Sequence, residues 1–268
     1  MSLLIRVAVV LAGLYLLVCL LFFFRQRSML YFPEVSPESI LLGRAEGEGF
    51  VPWRDLEGKL IGWRTKEGAG QTAIVLFHGN AGDAQGRRSL IQRVRQAGLQ
   101  APVYVLEYPG FGARPGTPTQ EALTTAAVDA LRLFEQPVVV FGESLGTGVA
   151  AQAASRVPEK VKGIILLTPF DSIVGAAAAH YPFLPVGLIV LDRFDSVSAL
   201  AGFKKPVAVI AGGRDETTPP EGARRLAASL GTTGRLWFVP EGDHGSTTWG
   251  LSDAEWRNVW AFVTGGGQ

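Results

Sequence analysis

The pentapeptide Gly-Glu-Ser-Leu-Gly at residues 142–146 is the sequence feature that most constrains the fold of this chain. It follows the apolar run 137–141 and precedes a stretch of small residues at 147–154, which is the order of a strand, a sharp turn and a helix. The flanking glycines remove the Cβ atoms that would block so tight a turn, so Ser144 can project its hydroxyl out of a sheet. Because the chain contains 33 glycines, the same string also fits an ordinary loop, and its surroundings must distinguish the two.

Short apolar runs alternate with helical stretches from residue 72 onward. Runs this short are typical of strands buried on both faces, and their alternation with helices predicts a mostly parallel sheet. The expected strands are 72–77, 103–108, 138–141, 163–168, 207–211 and 236–239. The expected helices lie near 86–97, 118–134, 145–156, 219–229 and 252–263. The predicted fold class is therefore α/β, opened by a β-hairpin of residues 51–56 and 59–65 around the turn Glu57-Gly58.

The first thirty residues predict a membrane anchor. Residues 7–24 are 18 consecutive apolar or small residues, and the apolar stretch extends beyond Arg6 to residue 3, which is long enough to span a bilayer. A cleavable signal peptide is the alternative, but the segment is longer than a signal core and a basic stretch follows it instead of a small-residue cleavage site. Basic residues on both sides are nearly balanced, so they predict no orientation.

The sequence predicts three parts: a transmembrane anchor at 3–24, a connector at 25–49 and a catalytic domain at 50–268. Prolines and glycines between 32 and 49 predict an irregular connector. Residues 171–200 interrupt the strand and helix pattern and are expected to form a small helical cap, with a long connector as the alternative. The net charge of +1 and the lack of a Lys/Arg run argue against a nucleic-acid partner.

A serine nucleophile needs a base, and the base needs an orienting acid. Of the three histidines, His244 lies in a glycine-flanked loop just after the last predicted strand, at the carboxyl edge where the Ser144 turn also points. Asp215 follows the strand 207–211 and falls between the serine and the histidine, the chain order expected for this type of sheet. The neighbouring Glu216 is the nearest alternative acid, and Asp192 and Asp195 are weaker ones.

The oxyanion formed by such chemistry needs preorganised donors. One expected donor is the main-chain N–H of Leu145, directly after the nucleophile. The other is the main-chain N–H of Asn80, in the glycine-containing loop after the first central strand. His78, in the same loop, is expected to support the loop rather than to titrate.

Together, several segments resemble the α/β-hydrolase superfamily, most closely its N-terminally membrane-anchored, abhydrolase-domain-containing serine hydrolases. The resemblance rests on the segments 27–33, 76–82, 108–112, 142–146, 213–219 and 242–244. The chain departs from the pattern at Glu107-Tyr108-Pro109, where relatives often carry Asp-Tyr-Arg.

The resemblance implies a membrane-anchored serine hydrolase that cleaves carboxylic esters, with acyl or lipid esters as the expected substrates. The triad Ser144, Asp215 and His244 would form an acyl-enzyme, and no metal or organic cofactor is needed. An acyl-protein thioesterase or a serine peptidase would use the same residues, and a non-catalytic scaffold at the membrane is the alternative from another class. The expected protein is a single-pass monomer in a membrane of the bacterial inner-membrane type or an equivalent one.

Overall fold

An eight-stranded, mostly parallel sheet forms the centre of the molecule in the computed structural model, which describes residues 2–68, 70 and 72–266. The strands, in chain order, are β1 (Phe32–Pro33), β2 (Phe50–Arg54), β3 (Leu60–Thr65), β4 (Ile74–Phe77), β5 (Ala81–Gly82), β6 (Val103–Leu106), β7 (Val138–Glu143), β8 (Val161–Leu167), β9 (Val207–Gly212) and β10 (Gly234–Val239). Strands β1 and β5 form a separate two-stranded parallel pair.

The order of the main sheet is β2-β3-β6-β4-β7-β8-β9-β10. Strands β2 and β3 form an antiparallel hairpin, and β3 joins β6 antiparallel, whereas all neighbours from β6 to β10 are parallel. The chain starts the parallel region at β4, passes to β6 on one side and then returns to β7 on the other. Ligands of open α/β sheets bind at the carboxyl ends of strands where the order reverses in this way, which here is between β4 and β7.

Helices cover both faces of the sheet. In chain order, the α-helices of the described chain are α1 (Leu3–Leu30), α2 (Glu38–Glu48), α3 (Arg88–Gln96), α4 (Gln120–Arg132), α5 (Leu145–Arg156), α6 (Ile173–His180), α7 (Val186–Ile189), α8 (Ser196–Ala199), α9 (Pro220–Ser229), α10 (Thr247–Gly250) and α11 (Asp253–Thr264). Helices α4, α5 and α9 pack on one face, and α2, α3 and α11 pack on the other. Along β4 the side chains alternate between these two cores, as the two-residue period of a strand requires.

The predicted α/β class, the opening hairpin and the six later strands are confirmed, with strand boundaries shifted by at most two residues. The prediction of an irregular connector over residues 32–49 was wrong, because α2 occupies much of it. Leu41 and Ala45, one helical turn apart, are buried against the sheet, and Gly49 ends the helix in the left-handed conformation (φ 80°). The glycines inside the segment do not prevent the helix, since this buried apolar pair stabilises it.

Helix α1 contains the predicted anchor and continues to Leu30, six residues beyond its predicted end. Its length and a mean hydropathy of 2.9 over 18 residues are sufficient to cross a membrane, and nearly all of its apolar side chains are exposed. The insertion expected at 171–200 contains the short helices α6, α7 and α8. It packs against α1 through a small apolar cluster that includes Cys19, Leu184 and Val186.

Candidate active site

Ser144 lies on the turn between β7 and α5, in the strained conformation that its motif predicts. Its φ of 51° and ψ of −118° are unusual for a residue with a side chain. The flanking glycines are required by close contacts, because a Cβ on Gly142 would lie 2.5 Å from the Gly146 carbonyl oxygen and one on Gly146 would lie 1.9 Å from that of Phe77. The tight turn therefore holds the serine hydroxyl at the carboxyl edge of the sheet.

The structure brings the two other predicted triad residues to this serine. His244 follows β10, and its Nε2 lies 2.9 Å from Ser144 Oγ. Its Nδ1 lies 2.8 Å from Oδ2 and 3.0 Å from Oδ1 of Asp215, which follows β9. The geometry thus joins the serine hydroxyl to a carboxylate through both nitrogens of one imidazole ring. None of these hydrogen bonds involves the alternative acids Glu216, Asp192 and Asp195.

Asp215 is buried but is surrounded by hydrogen-bond donors. Burial alone would raise the pKa of this carboxyl, but the hydrogen bonds from His244 and from Thr218 hold its pKa below the ordinary value. Thr218 contributes twice, since its main-chain N–H donates to Oδ1 and its hydroxyl donates to Oδ2, each at 2.8 Å. Asp215 is therefore ionised at neutral pH and is oriented to accept a hydrogen bond from the Nδ1–H group of His244.

The predicted oxyanion loop also reaches the serine. The structure gives the main-chain N–H groups of Asn80 and Leu145 no hydrogen-bond partner within residues 2–68, 70 and 72–266. Gly79 lies against the serine, because a Cβ there would be 3.5 Å from that of Ser144. The side chain of Asn80 points elsewhere, and its Nδ2 donates to the Leu30 carbonyl at the end of α1, 2.9 Å away. Both donors proposed for an oxyanion hole are thus free at the edge of the sheet.

Comparisons with known proteins agree with this architecture. A family model described as the α/β hydrolase fold matches residues 72–186. An uncharacterized protein of Mycobacterium tuberculosis is 32% identical over 234 residues, which cover 82% of this chain and 80% of that protein. The chain belongs to the α/β-hydrolase family.

Two further relatives are named for their activities. The mouse protein lysophosphatidylserine lipase ABHD12 is 34% identical to this α/β hydrolase over 135 residues, which cover 46% of this chain and 33% of the lipase. Among solved structures, an esterase of Pyrococcus furiosus has a TM-score of 0.62 at 16% identity, covering 87% of this chain and 97% of the esterase. The esterase likeness concerns the fold alone.

His78 of this α/β hydrolase is fully buried beneath the oxyanion loop. Burial, together with the nearby Arg87 charge, lowers the pKa of its imidazole to about 3. Its Nδ1 bonds the Gly79 carbonyl oxygen at 2.8 Å, and its own carbonyl oxygen accepts a hydrogen bond from the Tyr108 hydroxyl at 2.9 Å. A neutral, packed histidine of this kind supports the loop, which agrees with its expected role.

Glu107 lies beside His78, with its Oε1 3.7 Å from His78 Nε2. Burial, together with the Asp83 carboxylate, raises the pKa of the Glu107 carboxyl to about 8. One of its oxygens accepts a hydrogen bond from the Ala84 N–H at 3.1 Å, while the other has no partner among the described residues. At neutral pH this carboxyl is therefore mostly protonated, in contrast to Asp215.

Sequence reasoning missed two residues that hold the site together. Arg87 donates to Glu143 Oε2 at 2.7 Å and to the Ala81 carbonyl oxygen at 2.8 Å, so it joins the serine turn to the oxyanion loop. Thr218 orients Asp215, as described above. The hydroxyl of Thr218 three residues after an aspartate was a usable signal in the sequence, whereas the 56-residue separation of Arg87 and Glu143 gave none.

The described part of the chain contains no cluster of three or more His, Cys, Asp or Glu side chains arranged to hold a metal ion. The polar groups at the edge of the sheet are a hydroxyl, an imidazole, a carboxylate and two free N–H groups. Such a set is suited to nucleophilic acyl transfer, in which a serine attacks a carbonyl carbon and N–H donors bind the resulting oxyanion.

Proposed function

We propose that this protein is a membrane-anchored serine hydrolase that cleaves carboxylic esters of acyl groups. Ser144 acts as nucleophile, His244 as general base and then general acid, and Asp215 as the group that orients the imidazole. The observation that carries the proposal is the continuous hydrogen-bond chain from Ser144 Oγ to the Asp215 carboxylate, with distances of 2.9 Å and 2.8 Å. The relationship to ABHD12, which is named as a lipase, supports an ester of a lipid type as the substrate.

The first half of the reaction forms an acyl-enzyme. His244 Nε2 accepts the hydroxyl proton of Ser144 as Oγ bonds to the ester carbonyl carbon, and the carbonyl oxygen becomes an oxyanion. When this intermediate collapses, the bond to the alcohol oxygen breaks and His244 returns the proton to the departing alcohol. Asp215, ionised at neutral pH, stabilises the imidazolium that exists between these two steps.

The second half returns the enzyme to its starting state. A water molecule gives one proton to His244 Nε2 as its oxygen attacks the acyl carbon, and the second tetrahedral intermediate releases the carboxylic acid and restores the Ser144 hydroxyl. In both halves the main-chain N–H groups of Asn80 and Leu145 donate to the oxyanion. Their freedom from other partners supports this assignment.

Helix α1 serves as an uncleaved anchor in this proposal. The anchor comprises residues 3–24, followed by a connector at 25–49 and the catalytic domain at 50–268, with 171–200 as a cap insertion. Contacts between α1 and the insertion support retention of the helix, since the Tyr15 hydroxyl donates to the Phe183 carbonyl oxygen at 2.9 Å and Phe22 packs on Tyr181. Cleavage after residue 24 would remove both contacts.

Ester hydrolysis by the purified full-length protein in detergent micelles tests the proposal. Ser144→Ala should lower kcat for a p-nitrophenyl ester by several orders of magnitude, because it removes the hydroxyl that is bonded to His244 Nε2. Ser155→Ala, which removes an exposed hydroxyl from the same helix α5, should leave kcat unchanged. Near-native turnover by Ser144→Ala would overturn the assignment.

A substrate panel tests the reaction class. p-Nitrophenyl esters, acyl thioesters and aminoacyl amides all present a carbonyl to the same serine, but they differ in the leaving group that His244 must protonate. The proposal expects the highest kcat/KM with esters. Hydrolysis of thioesters alone or of amides alone would replace the proposed esterase by a thioesterase or a peptidase.

A further inference from the structure

The insertion lies along α1 from Tyr15, inside the segment 3–24 proposed to span the membrane, to Gln26, two residues beyond that segment. Tyr15 and Gln26 both bond main-chain groups of the insertion: Tyr15 Oη donates to the Phe183 carbonyl oxygen, and the Gln26 side chain bonds Ile189 and Leu191. With a rise of 1.5 Å per residue, these two contacts are separated by about 16 Å along the helix axis. The insertion therefore follows the anchor for about half the thickness of a bilayer hydrocarbon core, which is about 30 Å.

The outer surface of the insertion is apolar at the same level. Phe183, Leu188 and Leu191 are 58%, 87% and 49% exposed, and the main chain of two of them, Phe183 and Leu191, is bonded to side chains of α1. Backbone polar groups inside a bilayer need partners from the protein, which is what Tyr15 provides for the Phe183 carbonyl. The surface formed by α1 and the insertion thus has the chemistry of a lipid-contacting surface.

Between α1 and the insertion lies a cavity of about 140 Å³. A cavity of this size holds a hydrocarbon group about as large as benzene, and therefore one segment of an acyl chain. Its walls are almost entirely apolar and come from both elements, with Phe22, Met29 and Leu30 on α1 and Ile173, Ala177 and Leu184 on the insertion. At its polar end Asp192 bonds Arg27 at 3.0 Å and the Tyr31 hydroxyl at 3.1 Å.

The cavity is linked to the oxyanion loop through the end of α1. Leu30, one of its walls, accepts a hydrogen bond from the Asn80 side chain, and the next strand residue, Phe32, donates to the Asn80 carbonyl oxygen at 2.8 Å. The oxyanion loop is therefore bonded to the end of α1 that lines the cavity. These bonds connect the Leu30 wall of the cavity to the loop that carries the Asn80 N–H proposed for the oxyanion hole.

We propose that this cavity, formed jointly by α1 and the insertion, is the acyl-chain site of the enzyme and takes one chain of a lipid ester directly from the bilayer. The inference rests on the proposed function and deepens it. Its consequence is that the anchor helix is part of the substrate-binding site in addition to being a tether. The substrate class is an ester of a long acyl chain, whose apolar part remains in contact with α1 while its carbonyl reaches Ser144.

Filling the cavity should change chain-length preference without changing the chemistry. Ala177→Phe places a ring in the cavity from α6, and Ala178→Phe, at the next and exposed position of α6, is the matched control. In full-length protein in phosphatidylcholine vesicles, Ala177→Phe should lower kcat/KM for p-nitrophenyl decanoate at least about 10-fold. Its kcat/KM for p-nitrophenyl acetate, and both values for Ala178→Phe, should stay within about twofold of wild type.

Failure of this inference and failure of the proposed function give different results. Hydrolysis of both esters by wild type, with an unchanged ratio in Ala177→Phe, would contradict the acyl site alone. Absence of hydrolysis of either ester by wild type would contradict the proposed function.

A binding measurement tests the site without turnover. Ser144→Ala protein is irradiated in vesicles containing a monoacyl lipid with a diazirine at the chain end, and labelled peptides are identified by mass spectrometry. Labelling of cavity residues such as Met29 and Leu184, lost in Ala177→Phe, is expected. Labels confined to exposed Phe183 and Leu188 would show membrane contact without an acyl site and would overturn the inference.

Discussion

The molecule contains two histidine–carboxylate pairs that differ in almost every physical respect. At the carboxyl edge of the sheet, His244 is 29% exposed and its Nδ1 lies 2.8 Å from Asp215. Beneath the oxyanion loop, His78 is fully buried and its Nε2 lies 3.7 Å from Glu107, too far for a normal hydrogen bond. The pKa of Asp215 is held below its ordinary value, whereas that of Glu107 is raised to about 8.

The difference shows what converts such a pair into a reactive one. Asp215 receives three hydrogen bonds from Thr217 and Thr218 in addition to that from His244, and these favour its ionised form. Glu107 is favoured in its neutral form, first because it is buried and then because the Asp83 carboxylate lies nearby; among the described residues its carboxyl accepts one hydrogen bond, from the Ala84 N–H. Donors around the carboxylate, more than proximity to a histidine, separate the candidate catalytic pair from the supporting one.

The largest effect is expected from removing the charge of the catalytic pair. Asp215→Asn should lower kcat for ester hydrolysis by about 10⁴-fold, because an amide cannot hold His244 in the required tautomer. Steady-state kinetics with a p-nitrophenyl ester measure this loss. Glu107→Gln is the matched change in the other pair and should leave kcat within a few-fold of wild type. Equal losses in the two variants would remove the distinction between the pairs.

Glu107→Gln should instead change the pH dependence of stability. The unfolded carboxyl has an ordinary pKa of 4.5 and the folded one of about 8, so the unfolded state releases its proton first as pH rises. The wild-type free energy of unfolding therefore falls by up to about 1.4 kcal/mol per pH unit between these values and is level above pH 8.

The pKa shift of His78 changes the free energy of unfolding with pH in the opposite direction. Its folded pKa of about 3 lies below the ordinary 6.5, so its contribution is complete above pH 6.5 and is lost as pH falls toward 3. Melting temperatures measured between pH 6.5 and 8 therefore report the contribution of Glu107 separately from that of His78. Wild type should melt lower at pH 8 than at pH 6.5, and Glu107→Gln should show a much smaller decrease. The same decrease in both proteins would contradict the raised pKa of Glu107.

The smallest effect is expected from removing one donor to Asp215. Thr218→Val deletes the hydroxyl that donates to Asp215 Oδ2, and a hydrogen bond to a charged group contributes about 1.5 kcal/mol, so kcat/KM should fall about 10-fold. The pKa of Asp215 should rise toward its ordinary value, because one of the hydrogen bonds that lower it is lost. Thr217→Val keeps the main-chain donor and changes only an exposed side chain, so an equal effect there would contradict this role of Thr218.

Much of the sheet and the edge of the site could be predicted from the sequence, because both depend on local patterns. Buried strands have short apolar runs, and the Ser144 turn carries its glycines within five residues. The α2 helix was missed because the pairing of Leu41 and Ala45 with the sheet is a tertiary contact that overrides nearby glycines. Likewise, Arg87 joins Glu143 only after two strands have been placed side by side.

The contact between α1 and the insertion was beyond sequence reasoning for the same reason. An apolar stretch predicts a span, and residues 171–200 predict short helices, but nothing local predicts that Tyr15 meets Phe183 across 168 residues. With this contact, the proposed anchor is interpreted as a wall of the proposed acyl site as well as a tether.

The most direct test of the central claim is covalent labelling of the nucleophile. Full-length protein in detergent micelles is treated with a fluorophosphonate, which reacts with serines activated by a neighbouring base, and the modified peptide is mapped by mass spectrometry. We expect one adduct on Ser144, absent in Ser144→Ala and strongly slowed in Asp215→Asn, whereas Glu107→Gln reacts at nearly the wild-type rate. A folded wild-type protein that forms no adduct, or forms it on another serine, would contradict the account.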